Sequence, residues 1–374
     1  MKAVTAALVA GALVFAVGAP AATPSESEIE QEQRLRYMSD EFDELIRRSD
    51  VLLDEPELVA YLQEIVDRLF PEQAGELKVH LHRDSATNAF VLQNGSVYVN
   101  AGLLARLTDE AQLAMVLAHE GEHYVRRHMV HQALTTKSGA AAGAVFGLAI
   151  GVPAAGALLA GSSIAGFSRE REREADSAGF ARAMRAGYST AAAYVPFERM
   201  AREADATDRN AGGGIFGSHP RLTERAETLR ELAGDDAERG DRAREEFLAR
   251  TRAVRVAALS DQLERRRHVA LRVLLEDEDV LASYRPGARF FLGEAYRLRG
   301  DDGDLQRADA NFRQAVAEDP GFAPAWRGLG LFQLRQGNKP DALAALERFL
   351  ELEPDAADAA FIRRYIEQLQ GASP

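Results

Sequence analysis

The 374-residue chain has no cysteine, which excludes a disulfide framework and an anchor on a lipidated cysteine. It also lacks a surplus of positive charge. Its 45 Lys and Arg stand against 58 Asp and Glu, a formal net charge of −13, with no basic stripe or aromatic-basic cluster. Nucleic acid is thereby excluded as a partner. Charge of either sign is missing from 138–168, where Gly139, Gly143, Gly147 and Gly151 recur every four positions before Pro153. Glycines so spaced form a flat stripe on a helix and admit close packing of a second one. Pro153 and the high Gly and Ala content argue against a full transmembrane span, so a hairpin is expected here, buried or in peripheral contact with a membrane. The other uncharged run, Ala3 to Val17, is short for a membrane anchor. It follows Met1-Lys2 and precedes the small-x-small triplet Ala19-Pro20-Ala21, so residues 1–21 are expected to be a cleaved secretory signal.

Proline is absent from Glu110 to about His131, and Gly121 is the only weak helix former there. Thr108 or Asp109 offers an N-cap. Leu113, Met115, Val116 and Leu117 continue at helical spacing into His119-Glu-Gly-Glu-His123, an HExxH pentapeptide. Two histidines four apart project from one face of a helix, where their ring nitrogens can share a tetrahedral zinc. Glu120 stands beside them, placed to take a proton from a water rather than to act as a ligand. This arc is expected to be buried, and a buried polar cluster needs partners that a metal would supply.

A hydrolytic zinc needs a third protein ligand. The charged run from Ser168 to Asp176 splits by helical phase: Glu172, Ala175, Asp176 and Gly179 fall at i, i+3, i+4 and i+7, sharing a face with small residues that permit another helix to approach. Glu172 is therefore expected as the third ligand, and Asp176 as the group that orients a ligand histidine through its other ring nitrogen. Glu170 and Glu174 point elsewhere and are expected to pair with Arg171 and Arg173 at the surface.

HExxH followed about fifty residues later by Glu172-Arg-Glu-Ala-Asp176 resembles the zinc metallopeptidase family that includes HtpX, the CAAX prenyl protease and the periplasmic protease BepA. Asn88 to Leu104, with its Asn94-Gly95 turn, is similar to the hairpin that precedes the zinc helix in that family. Gly217-Ser-His-Pro220 with Arg225 is similar to its SxHP segment. The resemblance covers about residues 35 to 230. It implies endopeptidase activity with one zinc per chain. It makes His219 a regulatory fourth ligand or a transition-state contact and Arg225 a further transition-state contact, although His219 also reads simply as a turn residue fixed before Pro220.

Asn-Gly favours a tight β-hairpin, and Val97 and Val99 alternate with polar or amphipathic neighbours. Were the second strand an edge, an extended substrate could pair with its backbone. The stretch from Ala204 to Gly217, with Gly212 to Gly214, reads as a lid over the cleft or as an ordinary surface loop.

Beyond about residue 235 short helical units take over. Trp326, Leu329, Gly330, Gly337, Ala342, Leu346 and Pro354 fit a 34-residue tetratricopeptide repeat, and Leu292, Gly293, Tyr296, Gly300, Ala308, Phe312, Ala315 and Pro320 repeat the pattern upstream. Residues 357–370 suit a capping helix, and 243–284 a degenerate helix pair. Such arrays present a groove to protein partners.

The expected architecture is mainly α with a small β-hairpin or sheet. An α+β, zincin-like metalloprotease domain over 22–235 is followed by an α-helical repeat solenoid over 236–374. The resemblance to BepA implies a periplasmic enzyme acting on unfolded or misassembled envelope proteins. A periplasmic chaperone or scaffold, working through its repeats with a structural or shut zinc, is the rival reading.

Overall fold

The computed structural model describes residues 24–135, 167–207, 221–234 and 240–371. The expected signal, the uncharged glycine stripe, the Gly212–Gly214 stretch and His219 lie outside them.

Helix α1 (Glu26–Arg48) opens on a capping box formed by Ser25 and Glu28, and α2 (Pro56–Leu69) begins with proline in its first turn. Three strands follow: β1 (Lys78–His82), β2 (Ala89–Val91) and β3 (Ser96–Asn100). They form one sheet in the order β1-β3-β2, with β3 parallel to β1 and antiparallel to β2. The hairpin is present, but its second strand is central. Lys78–His82, whose short alternation carries little signal, occupies the flank that an extended peptide would need, and the hairpin's outer edge belongs to β2.

All five residues of β3 are buried, including the alternate positions expected to be polar-facing. Val97 and Val99 join the main core, whereas Tyr98 and Phe90 pack under Leu35, Phe42 and Ile46 of α1. Asp43 pins α1 in place by accepting from the Tyr98 hydroxyl at 2.7 Å, Ser96 Oγ at 2.5 Å and Asn94 Nδ2 at 2.9 Å. Burial and this bond push the Tyr98 phenol well above its usual range.

After the single turn α3 (Ala101–Leu104) comes α4 (Glu110–Val125), capped by Asp109, whose carboxylate accepts from Gln112 N at 2.9 Å. Every residue from Glu110 to His123 is buried, so α4 is enclosed on all sides rather than along one arc. Its polar residues away from the histidines are satisfied. Glu110 accepts from Tyr61 and Tyr188 hydroxyls at 2.6 and 2.7 Å, and Glu122 accepts from Arg182 at 2.7 Å. The helix stops earlier than its propensity suggests. Arg127 takes φ 56°, and a separate helix α5 (His128–Thr135) starts on the next residue.

Helices α6 (Arg169–Arg185), α7 (Val195–Ala206) and α8 (Leu222–Ala233) complete the part that surrounds α4. Between 243 and 284 the chain makes three helices instead of a pair: α9 (Arg244–Glu264), α10 (His268–Leu275) and α11 (Glu278–Ser283). Asp277 breaks the expected second helix by accepting from Asp279 N and Val280 N, an N-cap for α11. The repeats follow as the hairpins α12 (Ala288–Arg299) with α13 (Asp304–Glu318), and α14 (Ala323–Arg335) with α15 (Lys339–Leu352), closed by α16 (Ala359–Leu369).

One apolar core runs from Leu58 and Leu62 through Leu113 and Leu117 to Phe247, Leu271, Phe291 and Phe312, without a break at the expected 235/236 boundary. Buried arginines cross the same junction. Arg255 of α9 donates to the Leu104 and Leu107 carbonyls at 3.1 Å each, and Arg199 of α7 donates to Gln112 at 3.0 Å and to Asp279 at 2.9 Å.

Candidate metal centre

Helices α4 and α6 approach closely because of what Gly179 lacks. A Cβ there would stand 2.9 Å from the His119 amide nitrogen and 3.1 Å from the Ala118 carbonyl carbon. Gly121 plays the matching part inside the pentapeptide, where a Cβ would meet the Phe70 ring at 2.2 Å. The buried face of α6 is Glu172, Ala175, Asp176, Gly179, Phe180 and Ala183, and it is turned to the histidines.

The donor atoms converge. His119 Nε2 and His123 Nε2 are 3.1 Å apart, and each lies 3.6 Å from an oxygen of Glu172. Three ligands of a tetrahedral ion with bonds of 2.0–2.2 Å stand about 3.3–3.5 Å from one another, so this donor set fits a four-coordinate metal with one position left for water. The three side chains are all buried. Glu120 is buried on the same helix and close enough to Arg225 to act on its charge.

Each imidazole is held by its other nitrogen. Asp176 Oδ1 lies 2.9 Å from His119 Nδ1, and His128 Nδ1 lies 3.0 Å from His123 Nδ1. Burial alone would raise the Asp176 carboxyl, but the Arg225 guanidinium and His119 hold it well below the usual carboxylate range. His128 is pushed down to about 4 by burial, against the pull of Glu174. Phe167 stacks on the His123 ring at 4.0 Å between centroids.

Arg225 is enclosed, at 3% exposure, between carboxylates and an aromatic ring. Its Nη2 donates to Asp176 at 2.8 Å, its Nη1 lies 3.2 Å from Glu172, and its guanidinium sits 4.4 Å above Phe197. The Nη2 atom is 3.0 Å from both ring nitrogens of His119, which puts it over the imidazole instead of on either lone pair. It clamps the carboxylates that hold the histidines, a role with no trace in its sequence neighbourhood.

The outer charges of α6 interact along the helix, Glu170 with Arg173 and Glu174 with Arg171, but the close ion pairs of Arg173 and Glu174 are made to other elements. Adjacent residues on a helix point about 100° apart, so they reach other elements. Glu174 pairs with Arg126 and lies 3.4 Å from His128 Nε2, and Arg173 donates to Glu224 at 2.7 Å. His128, Phe167 and Phe197 were the residues of the site that sequence reasoning missed. A third histidine five positions after HExxH was the available signal.

Residues 53–233 match the family model described as peptidase family M48. They are a peptidase family M48 domain. A tetratricopeptide repeat model matches residues 301–362, which cover most of α13 to α16. The chain is 34% identical over 180 residues to the mitochondrial metalloendopeptidase OMA1 of Schizosaccharomyces pombe, a match covering 46% of this chain and 52% of that protein. It is 28% identical over 189 residues to the beta-barrel assembly-enhancing protease of Escherichia coli, covering 46% and 38%. It is also 30% identical over 160 residues to the E. coli metalloprotease YcaL, covering 41% and 60%. The chain thus spans about half the length of the curated relatives it matches. The M48 domain carries the converging histidines and glutamate, and no helix of the described residues is long and apolar enough to cross a membrane.

Proposed function

We propose that the protein is a zinc-dependent metalloendopeptidase of the cell envelope, which hydrolyses peptide bonds of misfolded or stalled envelope and outer-membrane proteins. The observation that carries this reading is the convergence of His119, His123 and Glu172 at 3.1–3.6 Å inside an M48 domain. The names of the protease relatives, one of them a beta-barrel assembly-enhancing protease, support the substrate class. The repeats give protein substrates and partners a surface, and a periplasmic location accords with the expected signal at 1–21.

In this reading His119, His123 and Glu172 hold one zinc per chain. Zinc bound there supplies a Lewis acid for the scissile carbonyl and for the attacking water. Glu120 takes a proton from that water on its carboxylate and delivers it to the leaving amide nitrogen. Asp176 keeps the His119 proton on Nδ1, so that the Nε2 lone pair faces Glu172, and Arg225 keeps the Asp176 carboxylate ionised in a buried setting.

The test compares wild type with Glu120→Gln for degradation of an unfolded protein, with zinc measured on each. Zinc near one per chain in both, with cleavage lost only in the variant, is the expected result. Equal zinc with equal inertness in both would refute the peptidase.

A further inference from the structure

Within a single helix, residues five apart project about 140° from one another and cannot meet. His123 and His128 do meet, because the helix between them is broken. Arg126 ends α4, Arg127 adopts the left-handed φ of 56° that non-glycine residues rarely take, and α5 begins at His128 with its ring turned back. Their Nδ1 atoms are 3.0 Å apart. The far nitrogen of His128 lies 3.4 Å from a carboxylate oxygen of Glu174, which is itself paired with Arg126.

We propose that His128 is a positioning residue for His123, the second half of a relay in which Glu174, His128 and His123 fix which nitrogen of His123 is left for the metal. A carboxylate only accepts, so Glu174 draws the His128 proton to Nε2 and leaves Nδ1 as an acceptor. His123 must then donate from its own Nδ1, and its Nε2 lone pair is directed at the space shared with His119 Nε2 and Glu172. His119 has the same arrangement with Asp176 as partner. The two ligand imidazoles are therefore oriented from opposite sides, one by the helix that carries Glu172 and one by the start of α5. Arg127's strained backbone has its use here, since without that break His128 would face away.

This inference rests on His123 being a zinc ligand, and the experiment separates the two. The full chain is compared as wild type, His123→Ala, His128→Phe and His128→Asn, with Zn2+ affinity measured by competition with a chromophoric chelator and the visible spectrum recorded after loading with Co2+. His128→Phe keeps the ring but removes both nitrogens. It is expected to weaken Zn2+ binding 10–100-fold while retaining a four-coordinate Co2+ spectrum. His128→Asn restores an acceptor and is expected to recover most of the loss. Wild-type affinity in His128→Phe would overturn the relay and leave the ligand assignment standing. Wild-type affinity in His123→Ala would overturn the assignment itself. If His128→Phe does not fold, Glu174→Ala decides, at a position half exposed to solvent. A several-fold loss of affinity supports the relay, and no change overturns it.

Discussion

Replacing Gly179 by alanine pits two effects of opposite sign against each other. At an exposed position within a helix, Gly→Ala stabilises by about 1 kcal/mol through backbone entropy. At Gly179 the new methyl would stand 2.9 Å from His119 N and 3.2 Å from His119 Cα, where ordinary contacts are about 3.5–4.0 Å. Both are backbone atoms in a buried helix, so neither can rotate away. Helices α4 and α6 must part by roughly 0.5 Å, an overpacking cost of about 1–3 kcal/mol that exceeds the propensity gain. The wedge falls beside His119 and on the face that carries Asp176 and Glu172. Metal–ligand distances tolerate only about 0.2 Å, so zinc affinity should fall together with stability. Thermal unfolding with and without zinc, and chelator competition, read the two consequences separately. A melting temperature above wild type with zinc affinity unchanged would refute the close approach and everything built on it.

Asp176→Asn leaves the volume intact but removes the charge that holds His119 and Arg225, and it should cost 10–100-fold in zinc affinity, measured by chelator competition. Glu203→Gln breaks a buried two-pronged pair with Arg106, whose Nε and Nη2 lie 2.6 and 2.5 Å from the carboxylate, and should destabilise by about 3–5 kcal/mol in denaturant titration. Asp277 is opposed by burial, yet Arg199 and Arg202 hold its carboxyl down at about 2. A pKa lower in the folded than in the unfolded state gives stability that is complete above the ordinary aspartate value and is lost as pH falls towards 2. The advantage of wild type over Asp277→Asn, about 2 kcal/mol at neutral pH, should therefore shrink between pH 4 and pH 2 in melts of the zinc-free protein.

The centre was legible because its spacing is local. His119 with His123, and Glu172 with Asp176, are each set by one helix turn, and the small residues beside the carboxylates marked the face that another helix could approach. What escaped was fixed by contacts distant in sequence or by single backbone angles. His128 is out of phase with the histidine pair until Arg127 turns left-handed, so helical periodicity conceals it. The central place of β3 depends on pairing with β1, whose five residues carry no turn signal linking them to the hairpin. Glu174 is one charge in an alternating run, and its attachment to α4 and α5 exists only once those helices have been placed. The repeats were legible by period, whereas the union of α9 to α11 with the peptidase half is fastened by Arg199 and Arg255, which look like ordinary surface residues in the sequence, and by Thr108, which reads there only as an N-cap candidate.

That union determines what the repeats can be for. Apolar packing is continuous from the helix of the histidine pair to Phe312, and buried guanidinium groups bolt the junction, so the solenoid is a wall of the M48 domain rather than an arm on a tether. In the proposed endopeptidase, a client seated on it would be presented at a constant bearing and a constant reach from the histidine pair, and the stretch of polypeptide cut would be chosen by measurement along the client as much as by the residues flanking the bond.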